Sequence, residues 1–92
     1  SARTAKEVVL VGSEESNAEF ARLISENPQW NLVVPVTLDP NVGSLHETLL
    51  ELLHKRPISC VVFNVGQTHF SEVERAILAC ETEGVEAWLL TK

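Results

Sequence analysis

Val8-Val9-Leu10-Val11-Gly12-Ser13-Glu14-Glu15-Ser16-Asn17 is the stretch on which the fold turns. Its first four residues form a short, unbroken apolar run, largely β-branched, that ends at a glycine. A strand covered on both faces reads this way. From about Glu15 to Glu26 the period changes: Phe20, Leu23 and Ile24, with Ala18 and Ala21, recur at helical spacing. Asn27-Pro28 ends that run, because the proline ring disfavours helical geometry in the residue before it. A strand, a glycine and a helix thus open the chain, and the helix is expected to lead directly into a second strand.

The same alternation continues to the end. Leu32 to Leu38 is rich in valine and contains Pro35, which has no N–H to give a ladder and so places this second strand at a sheet edge. Asp39-Pro40-Asn41-Val42-Gly43 reads as a turn, and Ser44-Leu45-His46-Glu47 has the Ser-x-x-Glu form of a capping box. Leu45, Leu49, Leu52 and Leu53 then stripe one face of a second helix that stops before Pro57. Ser59 to Val65 supplies a third strand, followed by the loop opened by Asn64-Val65-Gly66. Ser71-Glu72-Val73-Glu74 repeats the capping form, and Val73, Ala76, Ile77 and Cys80 give the inner face of a third helix that stops at Gly84. Val85 to Leu90 is the last strand.

Strand and helix alternating with such short connections imply right-handed crossovers, hence a parallel sheet with helices on both faces. The expected architecture is a three-layer α/β domain of Rossmann-like type with four strands in the order 2-1-3-4. The order reverses between the first and third strands, and the crevice at their carboxyl ends is the binding position that such a sheet offers. Gly12 to Asn17, Asp39 and Asn64 to Thr68 are expected to line it, with Gly12, Ser13, Asn17, Asp39, Asn64 and Gly66 as the candidate ligand contacts.

At 92 residues there is room for one domain, here residues 7–92, behind a polar stretch over 1–6 that reads as linker. A chain this short buries only a little over ~60% of the surface its unfolded form exposes. The longest apolar runs, Val8 to Val11 and Cys60 to Phe63, are far too short to enter a bilayer as a spanning helix. Thirteen acidic residues against seven basic ones give a net charge of -6 with no cluster of Lys or Arg. Nucleic acid and direct membrane insertion are therefore not expected, since polyanions and anionic headgroups need concentrated positive charge. Cys60 and Cys80, far apart and without histidine neighbours, read as structural thiols of a reducing compartment.

The chemistry at the crevice is sparse. A dinucleotide loop needs Gly-x-Gly-x-x-Gly after the first strand, so that the backbone can turn tightly and touch a pyrophosphate. Here only Gly12 of the three glycines is present, and Glu14 and Glu15 place negative charge at the helix start, where the helix dipole also favours it. Asp39 stands where a ribose-binding carboxylate is expected, and an Asp before a Pro is also a plain turn former. His46, His54 and His69 lack the spacing of a zinc site, so no metal ligands are assigned. Ser13, Ser16 and Thr68 are hydroxyls without a matched base, His69 being the one histidine within reach of the site, so no catalytic residues are assigned either.

Val9-Leu10-Val11-Gly12, the helix with Phe20-Ala21-Arg22-Leu23-Ile24, then Asn27-Pro28-Gln29-Trp30 and Val33 through Asp39 together resemble the soluble domain of bacterial polyprenyl glycosylphosphotransferases. Gly43-Ser44-Leu45, Arg56-Pro57-Ile58-Ser59-Cys60-Val61-Val62-Phe63 and Gly84-Val85-Glu86-Ala87-Trp88 extend the likeness over about residues 7 to 91. The resemblance implies a noncatalytic accessory or regulatory piece of a membrane sugar-phosphate transferase that initiates exopolysaccharide synthesis. Its partners would be the other domains of that parent, and it would lie on the cytoplasmic side of the inner membrane. The start of the chain is also similar to the sensor-like domain before some sugar acyltransferases, which implies the alternative of a nucleotide or nucleotide sugar held at the crevice. Of the two sheet edges expected at the second and fourth strands, an uncovered one is expected to pair with a second copy, giving a homodimer through an edge strand.

Overall fold

The computed structural model describes residues 4–41, 43–66 and 70–90. In chain order these form β1 (Lys6–Gly12), α1 (Glu14–Ser25), a 3-10 turn (Pro28–Trp30), β2 (Leu32–Leu38), α2 (Leu45–Lys55), β3 (Ile58–Asn64), α3 (Phe70–Thr82) and β4 (Glu86–Leu89). All pairings are parallel and the strand order is β2-β1-β3-β4. The architecture is the Rossmann-like sheet expected from the alternation of elements, with β2 and β4 at the edges.

The two faces are covered unequally. Val9, Val11, Ile58, Val61 and Phe63 point to one side, where Leu45 and Leu49 of α2 and Val73, Ala76 and Cys80 of α3 close over them as the main core. On the other side Val8, Leu10 and Val62 meet Phe20 and Ala21 of α1, with Leu32, Val34, Cys60 and Leu90 at the margin. Right-handed crossovers explain the division. The step from β1 to β2 runs one way across the sheet, whereas those from β2 to β3 and from β3 to β4 run the other, so one helix falls on one face and two on the opposite face.

Two irregularities near the bottom of β1 decide which residues face where. Glu7 pairs with Val33 and Val9 with Val36, so β2 carries an extra residue around Pro35. The bulge accommodates the missing N–H and reverses the alternation: Leu32 and Val34 face α1, while Leu38 reaches the core under α2 and α3. Likewise Glu7 pairs with Ile58 and Val8 with Cys60, so Ser59 is the extra residue of β3, and Ile58 and Cys60 lie on opposite faces. Arg56 closes this end of the sheet by placing Nη2 2.8 Å and Nε 2.9 Å from Glu7 Oε1.

Local differences from the sequence reading have physical causes. Pro28 begins a 3-10 turn that ends on Asn31 in the left-handed region, so α1 does not run straight into β2. Ser44 occupies the N-cap position of α2 but does not cap it; its hydroxyl lies 3.2 Å from His46 Nδ1 instead. Helix α3 starts at Phe70, which puts Ser71 inside the helix rather than at its cap. Gly84, at φ 69°, terminates α3 as expected, and β4 is shortened to four residues. Trp30 and Trp88 are both exposed, and Cys60 is half-buried.

Candidate functional site

The carboxyl ends of β1 and β3 meet at the switch point, where Gly12 pairs with Asn64. Ser13 follows at once as the N-cap of α1, its Oγ accepting from the Ser16 amide at 3.1 Å and lying 3.0 Å from Ser16 Oγ. One turn on, Asn17 is only 7% exposed. Its Nδ2 donates to Gly12 O at 3.0 Å and to Leu38 O at 3.2 Å, which ties the ends of β1 and β2 together. Asp39, just past β2, uses Oδ1 to accept from the Asn41 amide at 2.8 Å and from Asn41 Nδ2 at 3.0 Å. Gly66 is exposed in a left-handed conformation two residues beyond Asn64. Thr68 and His69 lie outside the described residues.

Gly12, Ser13, Asn17 and Asn64 are thus brought together, with Asp39 displaced across β2 in its own turn. What the cluster does locally is hold the protein to itself. A Cβ on Gly12 would sit 2.7 Å from Asn64 O, 2.8 Å from Ser16 Oγ and 3.1 Å from Asn17 Oδ1. The glycine is required because the chain's own atoms press against it, in the position where a dinucleotide loop would admit a pyrophosphate. Ser13 already satisfies one of the free amides of α1, Glu14 and Glu15 stand on the first turn, and residues 12–17, 39–41 and 64–66 contain no Lys or Arg. A phosphate would meet no countercharge from these segments. Ser13, Ser16 and Asn64 instead offer neutral hydroxyl and amide groups suited to a hydroxyl-bearing ligand.

The hollows nearby are small. One of about 290 Å³ runs from Asn64 along Ser16, Glu19, Phe20, Arg22 and Leu23 of α1 to Glu26, and one of about 210 Å³ lies between Asp39, Thr37 and Leu38 and the start of α2. The first stands at the lower limit of the ~300–1,000 Å³ usual for a small-molecule pocket, and the second falls short of it.

A trio that the sequence did not advertise lies at the starts of α2 and α3. His46 Nδ1 is 3.2 Å from Ser44 Oγ and 3.8 Å from Glu72 Oε2. Serine and carboxylate approach the same ring nitrogen, whereas a nucleophile–base–orienter relay needs them on opposite nitrogens. At the far ends of these helices His54 Nε2 lies 3.0 Å from Glu83 Oε1, which clips α2 to α3. Among the described residues no group of three His, Cys, Asp or Glu side chains is placed to hold a metal ion, and no helix is long and apolar enough to cross a membrane.

A more apolar groove lies elsewhere. Because α1 covers only the β2–β1 half of its face, a groove of about 330 Å³ is left alongside it, lined by Phe20 of α1, Val8 of β1, Leu32 of β2, Cys60 and Val62 of β3, and Trp88 and Leu90 at β4. Lys6 and Glu86 are its charged residues. Trp88 is 55% exposed on its wall. Burial, and next the carboxylate of Glu86, push the Cys60 thiol up to about 11, so this cysteine is a protonated apolar wall group at neutral pH. Burial, then proximity to Cys60, does the same to Cys80.

No family model matches this chain, and no curated protein matches it in sequence. The chain is a Rossmann-like α/β domain in which Ser16, Asn17 and the Asn64 carbonyl crowd Gly12 at the switch point.

Proposed function

We propose that this domain is a noncatalytic contact module, an accessory part of a membrane sugar-phosphate transferase of the kind its sequence resembles. Its open sheet face is the working surface. The observation that carries this reading is the groove beside β4, where an exposed tryptophan, a valine and a leucine line one side of a sheet whose other side carries two helices. Burying one such large side chain stabilises a contact by about 1.5–3 kcal/mol. An apolar strip of this kind is a recognised mark of a surface that meets another protein. The crevice, by contrast, is pressed by Ser16 and Asn17 at Gly12, and the hollow running from Asn64 along α1 sets the one cation Arg22 against Glu19 and Glu26.

A second reading keeps the crevice as a binding site, and the topology favours it: the order β2-β1-β3-β4 places Gly12, Ser13 and Asn64 together where α/β sheets bind ligands. Its ligand would be a nucleotide sugar entering by its hydroxyl-rich end. A thermal-shift screen against nucleotides, dinucleotides and nucleotide sugars separates the two. A crevice ligand at a hundred times its dissociation constant adds about 2.7 kcal/mol, which raises Tm by roughly ten degrees in a domain of this size. The contact-module reading expects no shift from any of them, and a shift abolished by Asn64→Ala would replace it with the second.

A further inference from the structure

We propose that His46 is a proton-operated switch at the seam of α2 and α3: protonated on Nδ1, its ring turns from Ser44 to Glu72, and the freed Ser44 hydroxyl caps α2. The inference stands apart from the contact-module reading and does not depend on it. Three features of one small cluster point to it. Ser44 holds the N-cap position of α2 yet its side chain makes no capping bond. Its Oγ lies instead 3.2 Å from His46 Nδ1, while Glu72 Oε2 stands 3.8 Å from the same nitrogen. That carboxylate oxygen is closed to water and, among the described residues, has no hydrogen-bond partner.

The distances fit an unprotonated Nδ1. A ring nitrogen carrying a lone pair accepts from a hydroxyl and offers nothing to a carboxylate, so the serine is drawn in and Glu72 Oε2 is left bare. A proton taken up from solvent reverses both relations. Nδ1–H then donates to Glu72 Oε2 as a charge-assisted bond, the ring turning to close the gap. Nε2 keeps its own proton throughout. Ser44 keeps the hydroxyl proton it no longer lends, and its oxygen is free to accept from the amide of Glu47, the third residue of α2, as Ser13 accepts from Ser16 at α1. Few charges stand around the ring. Glu72 and Arg75 come from α3, with Arg75 Nη1 3.7 Å from Glu72 Oε1; Glu47 follows His46 on α2, and Asp39, in the turn before that helix, is engaged with Asn41. The positive end of the α2 dipole opposes a charge on His46, and Glu72 offsets it.

A histidine ordinarily changes charge between about pH 8 and pH 5.5, so those two values test the switch. In urea unfolding of the full chain, Ser44→Ala should lower the folding constant by about twofold at most at pH 8, and by about fivefold, the usual worth of a serine cap, at pH 5.5. In a His46→Gln background the same substitution should have one effect at both values. His54 and His69 titrate over the same range, but they are common to both members of each pair and cancel. Nitrogen-15 shifts of the His46 ring in the unsubstituted chain supply a reading that needs no variant to fold: Nδ1 should be unprotonated at pH 8 and protonated at pH 5.5. Equal effects of Ser44→Ala at the two pH values overturn the proposal, as does an Nδ1 that already carries its proton at pH 8.

Discussion

Asn17 was legible in the sequence only as one of several polar residues after the first strand, and its role is set by contacts twenty-one residues apart. Its amide serves the last carbonyls of both β1 and β2 from a position almost closed to water. Asn17→Ala would strand those carbonyls, and we expect a loss of about 2–3 kcal/mol in urea unfolding. Gly12→Ala should cost about 1–3 kcal/mol, because the added methyl meets the backbone oxygen of Asn64 rather than a yielding side chain. The thiols give a pH test. Their values are raised from 9.0 to about 11 in the fold, so below pH 9 folded and unfolded chains alike keep both protons. Between 9 and 11 the unfolded chain releases them while the folded chain holds on, the unfolded state binds fewer protons, and stability falls as pH rises. Cys60→Ala with Cys80→Ala should flatten that slope in denaturant titrations at pH 8 to 11.

At the scale of elements, periodicity located every strand and helix, because the apolar residues that set it are those buried in the two clusters. Capping was read less well. Ser13 caps α1 through its hydroxyl and Ser44 does not cap α2, although Ser44 carried the stronger sequence signature. The reason is a competitor two residues on: His46 presents a ring nitrogen to the Ser44 hydroxyl, and the Ser-x-x-Glu pattern has no means to register it. Ser13→Ala should therefore destabilise the domain by about 1 kcal/mol and Ser44→Ala by no more than about 0.5 kcal/mol, measured side by side in urea. Pro35 announced an edge strand correctly. That it also sits at a bulge, reversing which residues of β2 face the core, depends on pairing with β1 and was not visible in β2 alone.

At the scale of the molecule, the strand order 2-1-3-4 already contained the uneven covering of the sheet. One crossover runs toward β2 and two run toward β4, so one helix on one face and two on the other was a consequence available from topology, as was an open strip over β3 and β4. The groove was nonetheless missed, because the sequence does not tell whether Trp88 is a core or a surface residue until it is known that no helix lies over it. Gly12, Ser13, Asn17 and Asn64, which the sequence set together after the first and third strands, do lie together at the carboxyl ends of β1 and β3, while the close approach of Ser16 and Asn17 to Gly12 is a matter of ångström-scale packing that spacing does not report. The occupancy of this crevice is the central question. Amide chemical shifts recorded while a nucleotide sugar is titrated to millimolar excess address it directly. Resonances of Gly12, Ser13, Asn17 and Asn64 should stay where they are; saturable movement confined to those four would contradict the contact-module reading and establish the crevice as the binding site.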